Sequence, residues 1–278
     1  MLHSTLSSIT QIDTKDLNVE LIVVNNNSND NTENIVKGFT SSSIPIQYFF
    51  EKKPGLAIAR NTGVRYAKSK YLIFTDDDIL FDKNFLKAID ETFKKTDAMA
   101  IGGKIILKYP CKRPGWLSDS IDYMYGKIDL GDKDIPFPQN MSPLGPNMAI
   151  KRAAFDQYGK FDENLGLKGG TETILRGEET EFINRLASQG EKIFYSGKSI
   201  VYHVIKKERL KKEWFISRFE NSGKVVKHSV KKLRFRWWKF SLKYMSALLL
   251  SYIFYILKKE RLTFYAKCKS KYFFNIIK

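Results

Sequence analysis

The sequence predicts an α/β chain, a sheet with helices on both faces, extended by a helical basic tail. Three observations predict it. Short runs rich in β-branched residues alternate with segments of helical character from residue 19 to residue 204. Asn25 and the triplet Asp76, Asp77 and Asp78 close two of those runs, and ligands of open α/β sheets bind beyond such strand ends. The whole net charge of +17 falls in residues 204–278, which hold 21 Lys and Arg against four Asp and Glu, while residues 1–203 hold 26 of each sign.

Taken in order, residues 19–25 (VELIVVN) read as a buried strand. Asp30 or Thr32 can cap the helix that follows, which carries Ile35, Val36 and Phe39. Residues 44–50 are a second strand, closed by Pro54-Gly55, and residues 56–67 have helical character. Residues 71–75 (YLIFT) are a third strand, running into the three Asp residues. A helix at 85–93 precedes a strand at 98–107, with a break expected at Gly102-Gly103. Residues 110–146, rich in Pro, Gly, Asp and aromatics, form a long irregular segment of the kind that often binds ligands. A strand at 147–150, a helix at 152–158, a Gly-rich loop at 168–176 and a helix at 179–189 follow, with two short strands at 192–195 and 200–204. Alternation of this kind argues for a largely parallel sheet.

Composition narrows the classes. Of the 278 residues 43% are hydrophobic, enough to bury a core, which argues against disorder. Two distant cysteines, Cys111 and Cys268, make neither a disulfide framework nor a zinc site and fit a reducing cytosol. The polar start, MLHSTLSSITQIDTKD, lacks the pattern of a signal peptide. Residues 244–257 are free of charge, and Lys239, Lys243, Lys258 and Lys259 flank them. That run is short for a membrane span, so we expect a helix lying in the membrane interface or packed on the preceding domain. The basic tail, interleaved with Trp214, Phe215, Trp237, Trp238 and Phe240, is expected to meet an anionic membrane surface and not nucleic acid; a solvated basic helix is the plain alternative. No GxxxxGK[ST], GxGxxG or GxSxG motif is present, and the three His residues are too scattered for His-based zinc motifs.

Several residues remain as candidates for chemistry. Three adjacent carboxylates repel one another unless a cation neutralises them, and oxygen ligands suit Mg²⁺ or Mn²⁺; the alternative is a solvated, helix-capping turn. Glu178 and Glu179 open a helix, where a carboxylate gains from the dipole. Either can serve as a general base, or both can be ordinary N-terminal acids. His203, at a strand end, is a structural residue or a metal ligand. Arg60 suits a phosphate or base contact, or a surface salt bridge.

Four segments in order, ELIVVNNNSNDNTENIV at 20–36, KPGLAIARNTGVRYAKSKYLIFTDDD at 53–78, GPNMAIKRAAFDQYGKFDENLG at 145–166 and RGEETEFINRLASQGEKIFYSGKSIVYHV at 176–204, resemble the family-two glycosyltransferases of the GT-A fold, across residues 5–225. The resemblance implies a GT-A-like nucleotide-sugar-binding domain at 1–205 and a basic, aromatic-rich helical extension at 206–278. It implies an inverting glycosyltransferase that uses a nucleoside-diphosphate sugar, foremost a UDP-sugar, and a glycan or lipid-linked acceptor, in cell-surface polysaccharide synthesis. Asn25, Asn27, Arg60 and Asp76 would border the nucleotide. Asp76, Asp78 and His203 would hold Mn²⁺ or Mg²⁺. Glu179 stands at the family's catalytic Asp, with Glu178 just before it. The enzyme is expected in the cytoplasm, peripheral to the cytoplasmic membrane face. The pattern is departed from at three points: the family's first strand and its Pro-Thr-Tyr-Asn-like loop are expected to be missing, Asn25 stands for Asp, and Glu179 for Asp. The alternative is a sugar-nucleotide-binding protein without turnover, or a membrane-surface adaptor.

Overall fold

The computed structural model describes residues 1–39, 42–139, 141–166, 177–230, 237–257 and 259–277. The Gly-rich loop expected at 168–176 lies outside them. The chain divides into two compact units, Met1–Leu107 with Lys127–Val204, and Lys108–Gly126 with Ile205–Lys278.

The first unit opens with α1 (Leu2–Ile9) and β1 (Leu21–Asn25); α2 (Thr32–Lys37) then leads to β2 (Ile46–Phe50). β1 and β2 pair in parallel as a two-stranded sheet, joined by the α2 crossover. Next come α3 (Leu56–Tyr66), β3 (Tyr71–Phe74), β4 (Ile79–Phe81), α4 (Phe85–Lys95) and β5 (Ala100–Lys108). After the irregular stretch come β6 (Ile135–Pro136), β7 (Met148–Lys151), α5 (Arg152–Tyr158), α6 (Glu178–Ser188) and β8 (Ile193–Val204). The larger sheet has the order β3-β7-β5-β8-β4, with β6 beside β8.

This sheet corrects the expectation of a largely parallel one. β7 is antiparallel to both β3 and β5, and β8 is antiparallel to β4 and β6. The reason is the connection: β7 follows a long irregular segment and not a crossover helix, so it can enter from the opposite end. Side chains alternate between the faces as a pleated strand requires. Leu72, Ala100, Met148 and Ile150 face a core built with Phe155, Phe161, Phe182 and Leu186. Ile73, Ile101 and Ala149 face the other, with Ile9 of α1 and Phe85, Ile89 and Phe93 of α4. Helices on both faces follow from this division.

Two expected interruptions are absent. β5 runs straight through Gly102-Gly103. A Cβ on Gly103 would collide with the amide of Asn147 and with Ser199 O, and one on Gly102 with Phe137 and Pro143. These glycines therefore serve close approach across the strand and not a break. The two strands expected at 192–195 and 200–204 are one strand, because its small middle is buried. Ser196 bonds Thr92, Ser199 bonds Asn147, and Gly197 lies against the Asp132 backbone.

The second unit holds α7 (Lys212–Val230), α8 (Trp237–Ile256) and α9 (Glu260–Ile277). Its core is aromatic. Trp116 meets Phe215 and Phe264 edge-on, and Tyr125 stacks on Trp214 at 5.3 Å. Trp214 and Phe215, expected as interfacial anchors, therefore belong to this core, and Phe215 is wholly buried. The side chains of Trp237, Trp238 and Phe240 lie outside the described residues. Among the described residues no helix is long and apolar enough to cross a membrane.

Candidate active site

The acidic triplet fills the turn between β3 and β4. Ile79 opens β4 directly opposite His203 of β8, and Val204 N donates to Asp78 O at 2.9 Å. That register brings two buried side chains together, His203 Nε2 lying 3.4 Å from Asp78 Oδ2. From α1, Thr5 Oγ1 donates to Asp77 O at 2.8 Å. Asp77 itself points outward and is exposed. Asp78 and His203 thus form a close pair of one carboxylate and one imidazole, a donor set suited to Mn²⁺. Among the described residues no three His, Cys, Asp or Glu are grouped to hold a metal ion.

Asp76 faces another way, toward Arg60. Arg60 sits mid-helix in α3 and is only 8% exposed, so it is not the surface salt bridge that was one of its two readings. Its Nη1 donates to Glu178 Oε1 at 2.5 Å and to Glu179 Oε2 at 3.1 Å, and its Nη2 lies 3.8 Å from Asp76 Oδ1. One guanidinium thereby joins the strand-end acid to the two acids at the N-terminus of α6. Gly145 makes room for it, since a Cβ there would strike the guanidinium. Of the two glutamates, Glu178 is 2% exposed and Glu179 is 19% exposed. Both sit in the first turn of α6, where the helix dipole favours a carboxylate.

The neighbouring loops are held by amides that sequence reasoning missed. Asn26 Nδ2 donates to Lys53 O at 2.7 Å, and its Oδ1 accepts from Gly55 N at 2.6 Å, which fixes the entry to α3. Asn61, next to Arg60, grips the Phe161 backbone with both halves of its amide. Asn147 donates to Lys104 O and Ser199 O, bridging β5 and β8. The available signal was the habit of Asn side chains to bond nearby backbone, but it does not reveal distant partners. Asn25 is buried: its Nδ2 donates to Tyr48 Oη at 2.9 Å and its Oδ1 accepts from Ser28 N at 2.9 Å. Both ends of its amide shape the loop. Asn27 is exposed, with a positive φ of 59° that Asn tolerates. A cavity of about 310 Å³ runs from this loop, along β1 and α1, to Thr75, Asp76 and Asp77. The structure thus gathers Asp76, Arg60, Glu178 and Glu179 in one cluster and Asp78 with His203 in a pair, while Asn25 and Asn27 lie along the cavity loop.

Crowding sets the charges. A fair part of the Asp76 side chain, 36%, still meets solvent. Even so, desolvation in the cleft, then the charges of Asp78 and Glu179, push its carboxyl up to about 6, against the downward pull of Arg60. Burial, with Glu179 beside it, also raises Glu178. Burial would raise Glu179 as well, but the Arg60 guanidinium and the hydrogen bond with Glu178 hold it below the usual carboxylate range. Arg60 thus favours the charged form of Glu179, the more exposed acid of the pair.

A carboxyl whose folded pKa is raised binds its proton more tightly when folded. The stability it contributes is present below the ordinary value of 3.8 and is lost as pH rises through about 6. In chelator, Asp76→Asn should therefore melt higher than the native chain at pH 8, with the gap closing as pH falls toward 4. Allowing for solvent screening at a partly exposed side chain, the gain should be on the order of 1 kcal/mol. Thermal melts across this pH range check it, and a variant less stable at pH 8 would contradict the sign.

Comparison with known proteins places this geometry. The Glycosyl transferase family 2 model matches residues 1–159. The chain is 21% identical over 206 residues to the glucosyl-dolichyl phosphate glucuronosyltransferase of Haloferax volcanii, covering 72% of this chain and 64% of that protein. It resembles in fold the mannosyltransferase PcManGT of Pyrobaculum calidifontis, solved with GDP-Man and Mn²⁺, at a TM-score of 0.55 and 19% identity, over 80% of this chain and 58% of that one. It also resembles residues 1–349 of S. aureus TarS, solved with UDP-GlcNAc, at a TM-score of 0.54 and 13% identity, over 98% and 87%. The chain thus spans less than two thirds of the Haloferax and Pyrobaculum proteins. A family match over more than half of the sequence, on a GT-A fold with its acids gathered at strand ends, establishes that the chain belongs to glycosyl transferase family 2.

Proposed function

We propose that this chain transfers a sugar from a nucleoside-diphosphate donor, foremost a UDP-sugar, to a hydroxyl of a glycan or lipid-linked acceptor in cell-surface polysaccharide synthesis, with inversion. The observation that carries the proposal is the Arg60 cluster. It ties Asp76, at the end of β3, to Glu178 and Glu179 of α6, so donor-side and acceptor-side acids form one assembly. The Haloferax relative, a glucuronosyltransferase, and the two structural neighbours, solved with GDP-Man and UDP-GlcNAc, support it.

Glu179 is the base in this reading. It is the more exposed of the pair and Arg60 favours its charged form, whereas Glu178 is buried. Glu179 takes the acceptor hydroxyl proton as that oxygen forms its bond to the anomeric carbon. The bond from that carbon to the diphosphate breaks on the opposite face, and the electron pair leaves with the diphosphate. A single displacement inverts the carbon. The nucleotide lies along the cavity between the Asn25–Asn27 loop and Asp76, with Asn25 shaping the loop and Asn27 at its exposed bend. Arg60 holds Asp76 and Glu179 in place at the nucleotide side of the site.

Asp78 and His203 would hold a divalent cation, Mn²⁺ or Mg²⁺. Asp76, at the start of the same turn, would share in holding it. Bound there, the cation would neutralise charge on the leaving diphosphate. The basic residues 206–278 would keep the enzyme at the cytoplasmic membrane face, where a lipid-linked acceptor lies.

Two measurements test this reading. Glu179→Gln should lower kcat by about 10²- to 10⁴-fold with donor KM little changed, because the group acts in the transition state. A dead Glu178→Gln beside an active Glu179→Gln would move the base by one position. Asp78→Asn should lose Mn²⁺-dependent UDP binding in calorimetry while its melting curve stays native-like. Unchanged binding would remove Asp78 from the metal.

A further inference from the structure

In the second unit α9 packs against both α7 and α8. The α8 residues that meet α9 include Tyr244, whose ring lies 5.8 Å from Phe274, and Ala247, which is buried. Another face of α8 is left uncovered. Leu242, Met245, Leu249 and Tyr252 are each 60 to 65% exposed. Their spacing of three, four and three residues sets them in one line along the helix. Single exposed apolar residues are ordinary, but an aligned, uncharged stripe marks a contact surface. Beside it lies a groove of about 510 Å³ between α8 and α9. Leu248 and Tyr252 line it from the stripe side, and Lys267, Lys271 and Ser270 line it from α9.

We propose that the α8–α9 hairpin is a binding surface for anionic phospholipid. α8 lies flat in the interface with the Leu242, Met245, Leu249 and Tyr252 stripe among acyl chains, and Lys267 and Lys271 take headgroup phosphates at the groove. This rests on the reading of residues 206–278 as a membrane-surface element, and it names the face that does the work. Charge selects lipid as the occupant. Residues 204–278 hold 21 Lys and Arg against four Asp and Glu, so a second copy packed on the stripe would set two strongly positive units together, whereas an anionic bilayer neutralises them. Among the described residues no helix is long and apolar enough to cross a membrane. A flat-lying helix uses an apolar face, not a span.

The test is co-sedimentation of the full chain with vesicles of phosphatidylglycerol and phosphatidylcholine, and with phosphatidylcholine alone. Leu242→Glu/Leu249→Glu is compared with Lys267→Gln and the native chain, all checked for an unchanged melting curve. Native protein should partition to anionic vesicles, and the double Glu variant should lose about tenfold or more of that partition. Lys267→Gln should lose part of it, on anionic vesicles only. If native protein stays in the supernatant, the membrane reading itself falls. Equal partition of native protein and the double Glu variant overturns the assignment to α8 alone. A lipid-free dimer that the double Glu variant converts to monomer gives the stripe to a second copy and likewise overturns it. Mn²⁺-dependent UDP binding, measured on the same variants, should be unchanged throughout, which separates these failures from failure of the transferase reading.

Discussion

The site depends on one buried cation. Arg60 is almost wholly enclosed and reaches two glutamates of α6 and, less closely, the aspartate that ends β3. A buried charge persists only where it is paired and its hydrogen bonds are made. Arg60 meets that condition only if α3, α6 and the β3–β4 turn sit where they do. Asn26 fixes the start of α3, Asn61 ties its middle to Phe161, and Gly145 leaves the space the guanidinium fills. Each of these details serves to place one side chain.

The same constraint divides labour among the acids. Glu178, the most enclosed, is driven toward its neutral form, and its neighbour keeps its charge through Arg60. Asp76 is raised by crowding. A cluster like this carries more negative charge than one guanidinium can balance, which favours the arrival of a cation. The Asp78–His203 pair stands on the other side of the same turn, because β4 pairs with β8 in the register that sets Ile79 opposite His203. Strand pairing and charge balance thus act on one short segment of chain.

Much of this was legible in the sequence. The strand runs ending at Asn25 and before Asp76, the helix beginning near Glu178 and the helix at 152–158 follow from apolar periodicity and end signals. The family resemblance names Asp76, Asp78 and His203 for one metal; the structure sets Asp78 and His203 side by side and turns Asp76 toward Arg60. What escaped was long-range. The three-residue β4 has too few residues to show a period, and it exists because β8 pairs with it. The antiparallel sheet was hidden because alternating segments do not reveal the direction in which β7 enters. Gly102-Gly103 and the Ser-Gly-Lys-Ser middle of β8 look like breaks until their close neighbours across the sheet are known. Arg60 read as a phosphate contact or a surface pair, since nothing local announces that Glu178, more than a hundred residues away, will meet it. Trp214 and Phe215 suggested an interface for the same reason, their ring partners being distant in sequence.

The most direct test of the account is the stability of Arg60→Met, measured by urea denaturation at neutral pH beside Glu178→Leu and the double variant. Arg60→Met leaves both glutamates without their shared counter-charge and should lose about 3 to 5 kcal/mol, whereas Glu178→Leu leaves Arg60 paired with Glu179 and should lose less, and the double variant should lose less than the sum of the two. If Arg60→Met is as stable as the native chain, or if the two losses simply add, the guanidinium is not the element that holds the acids together.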